Sequence, residues 1–430
     1  MSALPLPLQS GGVALDRVLP ALRQAEPEAR ACWVYDLAAL ELRALRMRDA
    51  FAKSRAHIAY ALKANPLPAV LETLREAGLA AEGGSIGELG QAVRAGFTPD
   101  SLVLNGNGRT PEEAAWVARH GIHSINADSI EELDLLEAHA AAAGRSLRVA
   151  LRVNPDIAAP VHRYIATGHE DAKFGVAPAD ALEAWANRAR WPHLELDGVH
   201  MHVGSNVLVT PPLELAGRAA LELAAESARR GAPLKFANLG GGFGVDYTGG
   251  DAEFPLERYA ASIDALSRES KLEWVIEPGR WLVAPIGVLL AEVLWVKHRA
   301  ERRFVVLAAG LNDLLRPALY GARHRIVPLV RRAGAEAPAV VVGPVCESSD
   351  CFDDAAMLPP LERGDVVAIL DAGAYGSAMS SNYNGRPRLA ELTARDGVLT
   401  RVRAGETPAD VGARDVGPRI ALGLDVPPVA

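Results

Sequence analysis

Three cysteines in 430 residues, Cys32, Cys346 and Cys351, are too few and too scattered for a disulfide framework or a zinc site, and they fit a reducing, cytoplasmic compartment. Basic residues are in deficit, 45 against 53 acidic, and no basic stripe is present that would follow a nucleic-acid backbone. Long apolar runs are missing as well. The longest passage, 281–296, is interrupted by Pro285 and carries Glu292, so no membrane span is expected. Residues 1–20 lack the basic start and unbroken apolar core of a secretion signal. These absences leave a protein whose partner is a small molecule. The length, with an apolar content of 49%, points to two cored domains rather than one.

The chain is organised around Ile58-Ala59-Tyr60-Ala61-Leu62-Lys63-Ala64-Asn65-Pro66. An apolar run closed by Asn-Pro reads as a buried strand that delivers Lys63 to its carboxyl end, where α/β proteins keep their sites. A lysine in a half-dry pocket is expected to lose affinity for its proton and to become an amine nucleophile, suited to a Schiff base with a carbonyl cofactor. From here strand-like runs at 58–62, 79–82, 101–105, 123–126, 147–154, 196–203, 235–240 and 273–277 alternate with helical stretches at 66–77, 85–96, 111–120, 128–143, 211–230 and 255–268. Together with a helix at 37–52, this alternation predicts an α/β fold, a parallel (β/α)8 barrel over residues 37–286. An open doubly wound sheet is the alternative, but no Gly-x-Gly-x-x-Gly follows the first strand. Past Gly287 the runs at 288–296, 304–307, 339–342, 366–370 and 397–403 are short, Val-rich and separated by turn residues, which predicts an antiparallel β domain. The isolated strand at 31–35 joins it, so that residues 1–36 plus 287–430 form the β domain into which the barrel is inserted.

Polar residues collect at the expected strand ends. The sixth barrel strand ends in His200-Met201-His202-Val203-Gly204-Ser205, the seventh runs into Gly240-Gly241-Gly242, and the eighth ends Glu277-Pro278-Gly279-Arg280. Strands one and eight are neighbours in a closed barrel, so Lys63 and Glu277 would share a mouth. Three glycines can aim backbone N–H groups at a phosphate, and Ser205 can add a hydroxyl. Glu277 can keep a pyridine nitrogen protonated, His202 can stack on the ring, and Arg280 offers a fork for a carboxylate. In the β domain Cys346 sits beside Glu347, Tyr375 lies in a glycine-flanked loop, and Arg316 and Tyr320 are four apart. Each also has a plain structural reading: an ordinary glycine loop, a hydrogen-bonded barrel histidine, a strand-end ion pair, an inert thiol, a packing tyrosine. The joint placement of the barrel set at one end favours pyridoxal 5'-phosphate, with no metal expected.

With these residues in view, the chain resembles the diaminopimelate decarboxylases, pyridoxal-phosphate enzymes built on an alanine-racemase-like barrel plus a β domain, from Trp33 to about Val411. The resemblance implies that Lys63 carries the cofactor as a Schiff base, that His202 stacks on it, that Glu277 contacts its ring nitrogen, and that Pro278, Gly279 and Arg280 also belong to the cofactor-binding set. It implies that Gly240, Gly241, Gly242, Ser205 and Tyr375 hold the phosphate. Arg280, Arg316 and Tyr320, with Tyr375, would bind substrate carboxylate oxygens, Glu347 would take the distal ammonium, and Cys346 would be the proton donor. Cys346 and Glu347 would reach the site of the other subunit, which implies a homodimer with shared active sites. The implied activity is decarboxylation of meso-2,6-diaminopimelate to L-lysine, the last step of lysine biosynthesis. The alternatives are a decarboxylase for D-lysine, D-ornithine or a carrier-bound glutamate, an amino-acid racemase, and a non-catalytic carrier of the cofactor. Three positions depart from the family's habit: Asn206 for glutamine, Glu82 for aspartate and Ala308 for aspartate. The loop from Asn154 to Lys173 is a candidate cover whose closure the sequence leaves open.

Overall fold

The computed structural model describes residues 8–154, 173–250, 252–330 and 332–415. A two-residue-per-strand hairpin, β1 (Gln9–Ser10) and β2 (Val13–Ala14), precedes β3 (Ala31–Asp36). Eight strands follow: β4 (His57–Ala61), β5 (Ala80–Gly83), β6 (Leu102–Leu104), β7 (Ser124–Ala127), β8 (Leu147–Arg152), β9 (Leu194–His200), β10 (Phe236–Asn238) and β11 (Glu273–Ile276). They close into a barrel in which every neighbouring pair is parallel, with β11 against β4. Its inner packing is made of small residues around one large ring: Ala59, Ala80, Val103, Ala150 and Val275 surround Phe236. Gly198 belongs to this arrangement, because a Cβ there would collide with the Phe236 ring. The outward-facing residues of the same strands join the larger cluster beneath the helices. Helices begin directly beyond strand ends, where Ser85, Thr110 and Ser129 accept hydrogen bonds from Glu88, Glu113 and Glu132 backbone N–H groups. One barrel helix, Pro178–Ala186, lay outside the expected set.

After the barrel come β12 (Gly287–Arg299), β13 (Arg302–Leu307), β14 (Ile326–Pro328), β15 (Ala337–Val342), β16 (Cys351–Leu358), β17 (Val366–Ile369), β18 (Ala390–Arg395) and β19 (Val398–Arg403). The main path runs β16-β15-β13-β12-β3-β18-β19, with β17 also on β12 and β14 on β17. Thus β3, made before the barrel, pairs between two strands made after it, and the barrel is inserted as expected. The pairs β13–β15 and β3–β18 are parallel, so this sheet is mostly rather than wholly antiparallel. The two sheets meet through the segment after β17. Tyr375 N–H donates to the Ala64 carbonyl at 2.8 Å, and Asn65 Nδ2 donates to the Gly373 carbonyl at 3.1 Å. Gly373 has no room for a side chain against the Val283 carbonyl. This contact fixes Tyr375 beside the turn that carries Lys63. Among the described residues no helix is long and apolar enough to cross a membrane.

Candidate active site

Lys63 lies in a single 3-10 turn, Leu62–Ala64, directly after β4. Its neighbours are small: Gly279 packs where a Cβ would come within 3.2 Å of both Ala61 and Ala64, and Ala61 N–H donates to the Pro278 carbonyl at 3.0 Å. The lysine opens into a cavity of about 440 Å³ at the carboxyl ends of the barrel strands. Of the residues expected there, Lys63, His202, Ser205, Gly241, Gly242, Glu277, Gly279, Arg280, Tyr320 and Tyr375 all line it. Gly240 and Pro278 are the adjoining residues of the same two turns. The lining also includes Glu82, Asn105, Arg152 and His200, to which sequence reasoning gave no role.

The expectation that Lys63 loses affinity for its proton is not met. The Glu82 carboxylate, joined by Tyr375 and Glu277, raises its proton affinity above the ordinary lysine value and outweighs the opposing effect of burial. Glu82 is almost fully buried, and among the described residues neither of its oxygens has a hydrogen-bond partner. Burial and the positive charges of Arg152 and Lys63 push His202 down to about 3, so its imidazole is neutral, and its Nδ1 accepts from Gly241 N–H at 3.3 Å.

Glu277 sits at the centre of a hydrogen-bonded group. Its carboxylate accepts from Asn238 Nδ2 at 2.6 Å and Asn126 Nδ2 at 3.1 Å on Oε1, and from Asn105 Nδ2 at 2.9 Å on Oε2. Burial first, and the like charge of Glu82 second, push it above the usual carboxylate range, while Asn238, Lys63 and Asn105 oppose the shift. The glycine turn is tightly held. A Cβ on Gly240 would lie 2.5 Å from His202 Nδ1, one on Gly241 would meet the Glu277 carbonyl, and one on Gly242 would meet the Gly204 carbonyl. Gly240 and Gly242 also have positive φ, at 61° and 101°.

Two arginines flank one ring. Arg280 donates to Tyr247 Oη at 2.8 Å and Ser205 Oγ at 3.1 Å. The Arg316 guanidinium lies 4.2 Å over the Tyr247 ring and donates to His324 Nε2 at 2.7 Å, while His324 Nδ1 donates to the Leu370 carbonyl at 2.9 Å. Arg316 is therefore buried, one layer behind the cavity lining. Cys346 and Glu347 are not among the lining residues. Both are exposed; Cys346 N–H donates to Asn384 Oδ1 at 3.0 Å, and Glu347 accepts from the Tyr383 hydroxyl. The passage 155–172, and with it nearly all of the candidate cover, lies outside the described residues.

At the opposite barrel end, His57, His123 and Glu273 each bring a potential ligand atom within 4.8 Å of the others. The two imidazoles stack face to face at 3.9 Å and 8°, which keeps their lone pairs from converging, and Arg148 donates to Glu273 at 2.6 Å.

The family model for the pyridoxal-dependent decarboxylase pyridoxal-binding domain matches residues 37–284. A diaminopimelate decarboxylase of Zymomonas mobilis is 37% identical over 393 residues, 90% of this chain and 93% of the relative. One from Helicobacter pylori is 39% identical over 382 residues, 88% and 94% of the two chains. This chain belongs to the diaminopimelate decarboxylase family. The crystal structure of a Helicobacter pylori diaminopimelate decarboxylase complexed with L-lysine superposes with a TM-score of 0.87 at 36% identity, covering 92% of this chain and 99% of that one. Asn206 adopts a positive φ of 62° and its Oδ1 accepts from Val245 N–H at 3.0 Å, so its amide holds the loop behind the glycine turn.

Proposed function

We propose that this chain decarboxylates meso-2,6-diaminopimelate to L-lysine, the last step of lysine biosynthesis, with pyridoxal 5'-phosphate as its cofactor. The observation that carries this reading is one cavity in which an amine, a glycine turn closed to any side chain and a hydrogen-bonded carboxylate face the same space. These groups fit the aldehyde, phosphate and ring nitrogen of the cofactor respectively. Bound there, pyridoxal phosphate supplies an electron sink for the pair left behind when carbon dioxide departs.

Lys63 would hold the cofactor covalently, and its raised proton affinity means that the amine would have to give up a proton first. The Gly240 to Gly242 backbone, Ser205 and Tyr375 would hold the phosphate, His202 would pack against the cofactor as a neutral ring, and Glu277 would accept from its ring nitrogen. Arg280 and Tyr320, which line the cavity, would bind substrate carboxylates, and Arg316, stacked on Tyr247 behind that lining, would add its positive charge to the set. Cys346 would donate the proton to the α-carbon and Glu347 would receive the distal ammonium. Their exposure on this chain supports supply from a second copy, in a homodimer with shared sites. We divide the chain at the barrel's ends, 37–286 against 1–36 plus 287–430, which the extent of the family match supports. A cytoplasmic location is supported by three free cysteines.

The test is an absorbance spectrum of wild type and Lys63→Ala after cofactor addition, followed by meso-diaminopimelate and analysis of products. Wild type should show a protein-bound band and release carbon dioxide and L-lysine; the variant should do neither. Racemised substrate without carbon dioxide would replace this reading with a racemase.

A further inference from the structure

The surroundings of Glu277 contain more order than a strand-end carboxylate requires. Asn105 follows β6, Asn126 lies in β7 and Asn238 ends β10, so three separate barrel strands each send one amide to the same carboxylate. The orientation of two of these amides is fixed by their other ends. Asn105 Oδ1 accepts from Asn126 Nδ2 at 2.6 Å, and Asn238 Oδ1 accepts from Gly240 N–H at 2.8 Å, so each must turn its NH2 group toward Glu277. An ionised carboxylate offers about four acceptor positions. Two on Oε1 and one on Oε2 are filled, and Glu277 borders the cavity, which leaves one position for a donor there. His200 Nε2, 3.8 Å from Oε2, is too far to fill it. All three donors are neutral. They orient the carboxylate without cancelling its charge, where an arginine or lysine in their place would neutralise it.

We propose that Asn105, Asn126 and Asn238 are positioning residues that hold Glu277 as an acceptor only, with one lone pair reserved for a protonated ring nitrogen in the cavity. This rests on the pyridoxal-phosphate reading above. Asn238 also ties the glycine turn to Glu277, so the groups facing the phosphate and the ring nitrogen share one amide.

The experiment separates nitrogen recognition from general binding. Cofactor-free wild type, Asn126→Leu and Asn105→Leu are titrated with pyridoxal phosphate and with its 1-deaza analogue, in which carbon replaces the ring nitrogen; the absorbance of the protein-bound form is the readout. Wild type should prefer the natural cofactor. Each variant should lose roughly tenfold of that preference, through weaker binding of pyridoxal phosphate with little change for the analogue. If both ligands weaken by the same factor, or the preference is unchanged, the amides only support the fold and the proposal is wrong. Two positions on different strands are used so that a folding defect in one leaves the other to decide. Wild type that binds neither ligand would instead overturn the cofactor reading itself.

Discussion

At the scale of single residues, Lys63 is tuned by its neighbours more than by its burial. Glu82, a buried carboxylate with no hydrogen-bond partner among the described residues, is the largest influence keeping the amine protonated. Glu82→Gln should therefore shift the capture of pyridoxal phosphate by the cofactor-free protein toward lower pH, because the amine sheds its proton more readily. The rate of appearance of the bound absorbance band, measured against pH, checks this, and an unmoved profile would remove Glu82 from that role. Lys63, Glu277 and the glycines were legible in the sequence because each sits at the end of a strand whose neighbours are apolar. Asn105 and Asn126 carried the same signal on the third and fourth barrel strands, and extending the strand-end rule there would have found them. Tyr247 and His324 carried none. They reach Arg316 from loops whose approach is set by the packing of the two sheets, and nothing local to either residue announces it.

Elements supply the next level. The glycine turn is defined by what it excludes, so Gly241→Ala must displace the backbone of either 240–242 or 277–278. Cofactor affinity should fall by at least roughly tenfold while the barrel remains folded, measured by equilibrium dialysis and circular dichroism. The arginine pair makes a second test. Tyr247→Leu removes both the ring under Arg316 and the hydroxyl that fixes Arg280. KM for meso-diaminopimelate should rise roughly tenfold, with a smaller change for D-lysine, which lacks the distal carboxylate. Equal loss for both substrates would separate the tyrosine from carboxylate recognition. Element boundaries were legible where apolar runs met Gly or Pro, as at His57–Ala61 and Pro111–His120. The strands β16 and β18 were not. β16 alternates irregularly and exposes the adjacent pair Asp354 and Ala355; β18, Ala-Glu-Leu-Thr-Ala-Arg, has helix-forming composition and becomes a strand because it is buried between β3 and β19.

For the whole molecule, assembly and stability are the measurable properties. If two chains share each site, Lys63→Ala and Cys346→Ser should each be inactive alone, yet mixing after partial unfolding should restore roughly a quarter of wild-type activity, from mixed dimers with one intact site. No recovery would mean that each chain uses its own thiol. Stability should carry the mark of Asp313, which burial pushes up to about 7 while its oxygens accept from Gly310 N–H at 3.0 Å and Asn312 Nδ2 at 3.1 Å. The folded chain keeps a proton that the unfolded chain releases near its ordinary value, so this group's contribution falls as pH rises from about 4 to about 7. In Asp313→Asn that slope should be absent, and the difference in Tm between variant and wild type should move in the variant's favour across the same window.

The position of β3 has a consequence for synthesis. Its partner on one side begins at Gly287 and on the other at Ala390, so Trp33 and Tyr35 leave the ribosome long before anything exists to cover them. The barrel can close while this first strand waits, and a nascent chain arrested short of residue 390 should hold a finished barrel with an uncovered aromatic edge, the form in which it is most exposed to chaperones and to aggregation.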